Sequence, residues 1–433
     1  MSLYDKASLI MTPSGAKAEK LYSHKPHNGN GDFTHDRNAG TATRVNKDGY
    51  IETVAEDVPR LDYPLIDGVV QDCPALLLEP ARTQLVEYSE DFSQGAWAKT
   101  DVTVTADSII SPDGTQNAFK LTEGTSTSTH RISDSFITST GVSYTQSIFA
   151  KSGNNGRYLR LFRGSGTYND AVFDLENGLV ISNTGSNIIS AKIEDYGNGW
   201  YRCSSTFTTN FSNINSYYGL HNGSTDSYAG DGTSFIYIYG AQLEQSSYPT
   251  SYIPNDGTTA TVTRNADVCD SAGTSAEFND SEGVLYAEIA ALDNSTVEQI
   301  SISDGSTDDR VYFTKTGTAN EFRFAVVDGG STQASITKAV NDNTSMHKIA
   351  GKYKANDVAF WINGFEVGTD TSATMPSDLD ELAFDSGSGS LDFYGRSKEV
   401  AVFKEALTDT ELEALTSWDS FTEMATGQEY SIR

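Results

Sequence analysis

YGNGWYRCSSTF at residues 196–207 and SFIYIYGAQLEQSSYPTSYIP at 234–254 decide the fold. The first opens on a turn, Gly197-Asn198-Gly199, and runs into an alternating aromatic strand. The second is another aromatic strand, which passes through Gln242-Leu243-Glu244 to an exit stiffened by Pro249 and Pro254. Alternation with period two sends successive side chains to opposite faces of a sheet. Nothing in either segment reads as an activated nucleophile or a metal cage. Together they read as the last strands and exit of a β-sandwich whose aromatic surface suits a sugar.

The same texture extends outward. From about Tyr88 to Arg264, segments such as AFKLTEG, SYTQSIFAKS, RYLRLFRG and AVFDLENG alternate or run apolar, each bounded by Gly, Asn, Asp or Ser. Short strands at this spacing without a 3.6-residue period indicate a sandwich or jelly roll. A second β unit follows from about Glu277 to Phe403, in which VAFWINGFEVG places Asn363-Gly364 between two apolar strands, a hairpin signal. Thr408 and Glu411 form a capping box with a staple from Leu407 to Leu412, which predicts one short closing helix.

The chain is therefore expected to be all-β: two tandem antiparallel β-sandwiches (jelly rolls), an extended N-terminal anchoring arm and one short C-terminal helix. The arm occupies residues 1–60 and contains a hairpin around Lys47-Asp48-Gly49. A proline-rich connector follows at 61–86, then a jelly roll at 87–270, a second sandwich at 271–418 and a tail at 419–433. An arm of this composition needs a neighbouring chain or assembly to pack on.

Composition bounds the function. With 59 acidic and 30 basic residues the formal charge is −29, a field that repels nucleic-acid phosphates. Arg157, Arg160 and Arg163 are the one dense basic stretch. Cys73, Cys203 and Cys269 are odd in number and lack a CxxC, which excludes a disulfide scaffold or thiolate zinc site and suits a reducing cytoplasm. No secretory leader and no run of ~20 apolar residues is expected to direct membrane insertion.

Catalytic and metal patterns give way to simpler readings. Asp378, Asp380 and Glu381, and Glu194-Asp195, could supply the carboxylate pair of glycan hydrolysis, but chance clusters are common in so acidic a chain. His24, His27 and His35 with Asp32 and Asp36 match no closed zinc spacing, and Asp304, Asp308 and Asp309 lack the full calcium-loop pattern. No GxSxG, P-loop or dinucleotide fingerprint occurs. The expectation is a non-enzyme without cofactor or metal.

The aromatic strands carry the binding candidates. In RYLRLFRG, Tyr158, Arg160 and Phe162 share one face, with Leu159 and Leu161 opposite. In SFIYIYG, Phe235, Tyr237 and Tyr239 oppose Ile236 and Ile238. If the aliphatic faces fill the core, the Tyr/Arg faces turn outward, where rings stack on a pyranose and polar groups take its hydroxyls. Tyr217, Tyr218 and His221 are expected on an exposed loop. The candidate glycan contacts are Tyr158, Arg160, Tyr217, Tyr218, His221, Tyr237 and Tyr239; Trp97 and Trp200 read as core anchors.

DGYIETVAEDVPRLDY, CPALLLEPARTQLVEYSEDFSQGAW, PDGTQNAFKL, GNGWYRC, GAQLEQSSYPTSYIP and TRNAD together resemble phage structural proteins with a carbohydrate-binding-module-like jelly roll. GVLYAEI, KIAGKYKANDVAFWINGFEVGTD and EALTDTELEALTS resemble the concanavalin A-like (laminin G-like) sandwich that follows it in those chains. The resemblance covers about residues 45–425. It implies a virion surface protein (tail fibre, spike or decoration), made in the host cytoplasm and released by lysis. Its implied partners are other virion proteins through the N-terminal arm and host surface polysaccharide, with a homo-oligomer, trimer favoured, as the assembly. The alternatives are a purely architectural head or tail subunit and a polysaccharide depolymerase.

Overall fold

The computed structural model describes residues 2–164 and 169–418; the expected tail at 419–433 lies outside the described residues. The fold is all-β, with α-helix confined, among the described residues, to Leu3–Lys6 and Asp409–Thr416. The longer helix starts as expected: Glu411 Oε2 accepts from the Thr408 N–H at 3.0 Å and from its hydroxyl at 2.9 Å.

The jelly roll is two antiparallel sheets face to face. Its front sheet runs Ala98–Thr100, Thr127–Ile137, Asn213–His221, Tyr158–Gly164, Asn169–Asp174, Leu179–Thr184. Its back sheet runs Val102–Ile109, Ala118–Glu123, Phe235–Glu244, Val142–Ser152, Trp200–Thr209, Ile188–Asp195. The aliphatic faces do fill the space between them: Leu159, Leu161, Ile236 and Ile238 are fully buried in one cluster with Phe119, Ile148 and Cys203. Trp97 and Trp200 are buried, each tied by its indole N–H to a backbone carbonyl, Tyr88 at 2.9 Å and Ile110 at 3.1 Å.

The second sandwich opposes an eight-stranded sheet to a five-stranded one. The Asn363-Gly364 turn joins Val358–Ile362 to Phe365–Asp370, with φ of 51° and 86° at the two turn residues. Positive φ at both central positions is what a two-residue hairpin of this twist demands, and Asn-Gly supplies it at low cost.

The N-terminal region departs from expectation. Residues 1–60 are not an extended arm. Ala7–Met11 pairs antiparallel with Gly395–Phe403, and Phe33–Asp36 pairs with Val268–Asp270. The connector joins in: Ala75–Leu78 also pairs with Gly395–Phe403, and Arg60–Asp62 pairs with Ala75–Leu78. The strand Gly395–Phe403 would otherwise leave much of one edge open, and Leu9, Met11, Leu76 and Leu78 bury their side chains in the second sandwich's core. The hairpin Ala42–Val45/Ile51–Val54 forms as expected, but Ile51 lies on the back of the jelly roll beside Trp200 and Tyr239.

A buried charge cluster ties these segments together. Arg60 bridges Glu79, at 2.5 Å, and Asp267. Arg37 reaches Asp267 at 2.9 Å and Arg264 reaches Glu79 at 2.7 Å. Ser251 donates its hydroxyl to Glu79 at 2.6 Å. All three guanidinium groups are fully buried. Burial raises the Glu79 carboxyl, but Arg264 and Arg60 outweigh it and hold the group at about 2. Asp267 is likewise held below the ordinary carboxylate range: burial opposes ionisation, and Arg60 and the other cations overcome it.

Candidate functional site

Strand alternation assembles a polar and aromatic face on the outside of the front sheet. Across the pair Tyr158–Gly164 and Asn213–His221, Tyr158 faces His221, Arg160 faces Gly219 and Phe162 faces Tyr217. On the next strand Arg131 lies opposite Gly219. A Cβ at Gly219 would come within 3.2 Å of the Arg131 Cβ and 3.5 Å of Phe162. The missing side chain is what allows its neighbours to close over it.

They close as a layered stack. Tyr217 lies on Phe162 with centroids 4.6 Å apart and planes 19° from parallel. The Arg131 guanidinium sits 4.2 Å from the Tyr217 ring centre, and Arg160 sits 4.0 Å from that of Phe162. Such cation–π contacts are worth about 0.5–2 kcal/mol according to exposure. Arg160 is buried and locked to Asp170 at 2.7 Å and to Asp226 at 2.7 Å. Arg131 and Tyr217 are half-exposed. His221 accepts from the Gly223 N–H at 3.0 Å. Burial and Arg160 lower its pKa. The arrangement is a platform edged by carboxylates, hydroxyls and amides.

Four of the seven sequence candidates meet here: Tyr158, Arg160, Tyr217 and His221. Tyr218 does not. Residues 213–221 are a strand rather than a loop, so Tyr217 and Tyr218 point to opposite faces, and Tyr218 is fully buried against Trp97 at 5.6 Å. Tyr239 is also a core residue. The back sheet's outer face is roofed at that point by Ile51, Tyr252 and Trp200, and the Tyr239 hydroxyl donates to Glu90 at 3.0 Å and to Asp113 at 3.1 Å. Tyr237 is half-buried on the back sheet, edge-on to Phe235 at 5.1 Å, and is separated from the platform by the sandwich itself. Arg131, Asp170 and Asp226 complete the face; they lie on other strands and a loop, so only pairing register links them to Tyr217.

Other candidates resolve locally. Arg157 pairs with Glu123 at 2.7 Å, and Arg163 lies inside the sandwich, donating to Ser205 at 2.7 Å with its pKa lowered to about 9 by burial. The three arginines therefore do not form a basic surface. His35 is buried 3.4 Å from Asp267, whereas His24 sits on Thr12 and Ser14, so the histidines of residues 24–36 do not converge. Asp304 accepts from the Ser306 hydroxyl at 2.6 Å, which is turn chemistry, and Asp309 accepts from the Ser377 N–H at 3.1 Å, which ties its loop to a distant one.

Two concavities lie elsewhere, and none of the seven candidates lines either. A cleft of about 600 Å³ between the sandwiches is bordered by Tyr63, Glu194, Tyr196, Arg202, Tyr248 and Arg396. In it the Glu194 carboxyl is raised by burial but pulled lower overall by Lys192 and Arg202. The second cavity, of about 500 Å³, is bordered by His347, Phe365 and Trp418.

Residues 274–413 match the Concanavalin A-like lectin/glucanases superfamily. No curated protein matches the chain. Among solved structures, the chain is similar to Ruminococcus gnavus IT-sialidase CBM40 bound to alpha2,3 sialyllactose, with 16% identity, 32% of this chain and 84% of that chain covered and a TM-score of 0.28. Domain 4 of AbnA, a GH43 extracellular arabinanase from Geobacillus stearothermophilus in complex with arabinotriose, aligns at 11% identity over 35% of this chain and 73% of that one, TM-score 0.30. The NanB sialidase from Streptococcus pneumoniae aligns at 14% identity over 33% of this chain and 25% of that one, TM-score 0.27.

Proposed function

We propose that the protein is a phage virion surface component, of fibre, spike or decoration type, that binds host surface polysaccharide through the front face of its jelly roll. It acts by adhesion, without catalysis, and is made in the host cytoplasm. One observation carries the glycan reading: Tyr217 and Arg131 form a half-exposed stack on Phe162, beside the Arg160–Asp170–Asp226 cluster. A sugar ring laid on this platform would pack its apolar C–H surface on the exposed part of the Tyr217 ring, with the Asp226 carboxylate beside Arg160 as an acceptor for its hydroxyls. Residues 274–413, in the second sandwich, match a lectin/glucanase superfamily, which supports a lectin-like second unit beside this platform. The virion setting rests on the resemblance of the motifs from DGYIETVAEDVPRLDY to TRNAD. Because residues 2–60 pack on the two sandwiches, Ala7–Met11 on the second and the hairpin Ala42–Val45/Ile51–Val54 on the back of the jelly roll, contacts to other virion proteins use folded surface rather than a free arm.

The test is a glycan array and a host-cell adsorption assay with the full chain, beside the Tyr217→Ala and Arg131→Ala variants. Binding to a surface polysaccharide that both variants weaken is the expected result. A wild-type protein that binds no host glycan at physiological salt overturns the reading. Release of new reducing ends from host capsule would replace adhesion by depolymerisation.

A further inference from the structure

The cleft between the sandwiches holds a guanidinium that the protein itself leaves largely unsatisfied. Arg202 lies on the outer face of the back sheet, because its neighbour Cys203 points into the sandwich core. Phe149 and Glu194 flank it on the adjoining strands. The side chain is 4% exposed and borders the cleft. Among the described residues its guanidinium donates only from Nη2, to the Ser147 hydroxyl at 3.3 Å, and its buried Nε has no acceptor.

The other cations around it are matched. Four line the cleft, and three of them have a carboxylate: Arg44 has Glu52 at 2.6 Å, Lys192 has Glu194 at 2.8 Å and Arg396 has Asp62 at 3.3 Å. Glu194 stands opposite Arg202 and attracts it, but its carboxylate is engaged by Lys192. A buried charged donor without an acceptor is costly, so the cleft is short of one anion. Its walls suit an organic one. Tyr196 stands edge-on to Phe149 with ring centres 4.9 Å apart, and the Arg202 guanidinium lies 5.4 Å from the same ring. Tyr63 borders the cleft from the other side, held by its N–H to the Val45 carbonyl at 3.0 Å. A volume of about 600 Å³ is that of a small-molecule site.

We propose that this cleft binds a small organic monoanion by its carboxylate, which takes the free donors of Arg202 while its body packs between Tyr196 and Tyr63. The planar fork of a guanidinium matches a carboxylate in bidentate fashion. One unmatched cation calls for one negative charge, and Asp62, Glu194 and Asp195, which also line the cleft, repel a dianion such as phosphate. The site lies on the back sheet and stands independently of the front-face platform.

Calorimetric titration of the full chain with sodium glucuronate, sodium lactate and glucose reads the site. Glucose has a hydroxymethyl group where glucuronate has its carboxylate and is the neutral counterpart. Carboxylate binding should give heat and raise the melting temperature, and glucose should do neither. Binding of both acids assigns recognition to the carboxylate alone, of glucuronate only to carboxylate and ring together, and of lactate only to a carboxylate on a smaller body. Arg202→Met, of similar length without the charge, should weaken binding about a hundredfold. Arg202→Lys should weaken it too, because an ammonium lacks the fork. In the unsubstituted protein, the acid that binds should slow amide exchange over residues 63–70 and 194–202. The proposal is overturned if neither acid binds at millimolar concentration, if glucose binds as well as glucuronate, if Arg202→Met binds like the wild type, or if the protection falls elsewhere.

Discussion

Tyr217 and Tyr239 illustrate how differently two tyrosines in similar aromatic strands are used. Tyr217 is half-exposed over Phe162 under the Arg131 guanidinium. Tyr217→Ala should therefore weaken glycan binding about tenfold, equivalent to about 1.4 kcal/mol, while lowering the melting temperature less than Tyr239→Ala does; calorimetric titration with the captured glycan checks the first and a thermal melt the second. Tyr239 is packed among Phe149, Trp200 and Tyr252. Truncating a buried ring costs about 3–5 kcal/mol, so Tyr239→Ala should lower stability in denaturant titration before it affects binding. The sequence places Tyr237 and Tyr239 on one face correctly, since period two is a local property. It does not show that Ile51 and Tyr252, far apart along the chain, roof that face over Tyr239. Around Tyr217 and Tyr218 the sequence departs from the structure for a simpler reason: the neighbouring Gly, Asn and Ser look like a loop, yet cross-strand pairing with Thr127–Ile137 and Tyr158–Gly164 makes this a central strand.

At the scale of elements, the strand Ala7–Met11 has a thermodynamic role. Leu9, Ile10 and Met11 are buried, and each such side chain contributes about 1.5–3 kcal/mol. Deleting residues 2–12 should lower the melting temperature of the second sandwich and increase its amide exchange along Gly395–Phe403. An unchanged melt would restore the free-arm picture. The same logic warns against fragments that begin near residue 82, because they lose Arg60–Asp62, Ala75–Leu78 and Glu79 together. The strand Ala7–Met11 was illegible in the sequence because five residues, followed at once by turn formers, carry too little periodicity to distinguish an arm from a strand. Its partner lies nearly four hundred positions away, and pairing at that separation leaves no local trace.

For the whole molecule, the charge cluster of Arg37, Arg60, Arg264, Glu79 and Asp267 joins the leader, the connector and the jelly-roll exit. Removing one member of a buried pair costs about 3–5 kcal/mol, so Asp267→Asn should destabilise strongly, with unfolding of both sandwiches advanced in a calorimetric scan. The pH dependence has a definite sign. Glu79 and Asp267 ionise more readily folded than unfolded, so their contribution is complete above the ordinary carboxylate pKa and is lost as protons bind on acidification. For Glu79 the loss falls between about pH 4.5 and about pH 2. Denaturation monitored across that window should show stability falling in the wild type more steeply than in Glu79→Gln. LLLEP, TSYIP and TRNAD thus encode a structural clamp: Glu79, Ser251, Arg264 and Asp267 sit in it rather than on a ligand. What the sequence determined by itself was the strand class, both hairpin turns, the helix cap and the aliphatic core faces, because alternation, Asn-Gly turns and capping are settled within a few neighbouring residues. Tertiary structure alone decided which outward faces stay open, where the first eighty residues go and which motif charges are buried, because each of these depends on surfaces brought together from distant parts of the chain.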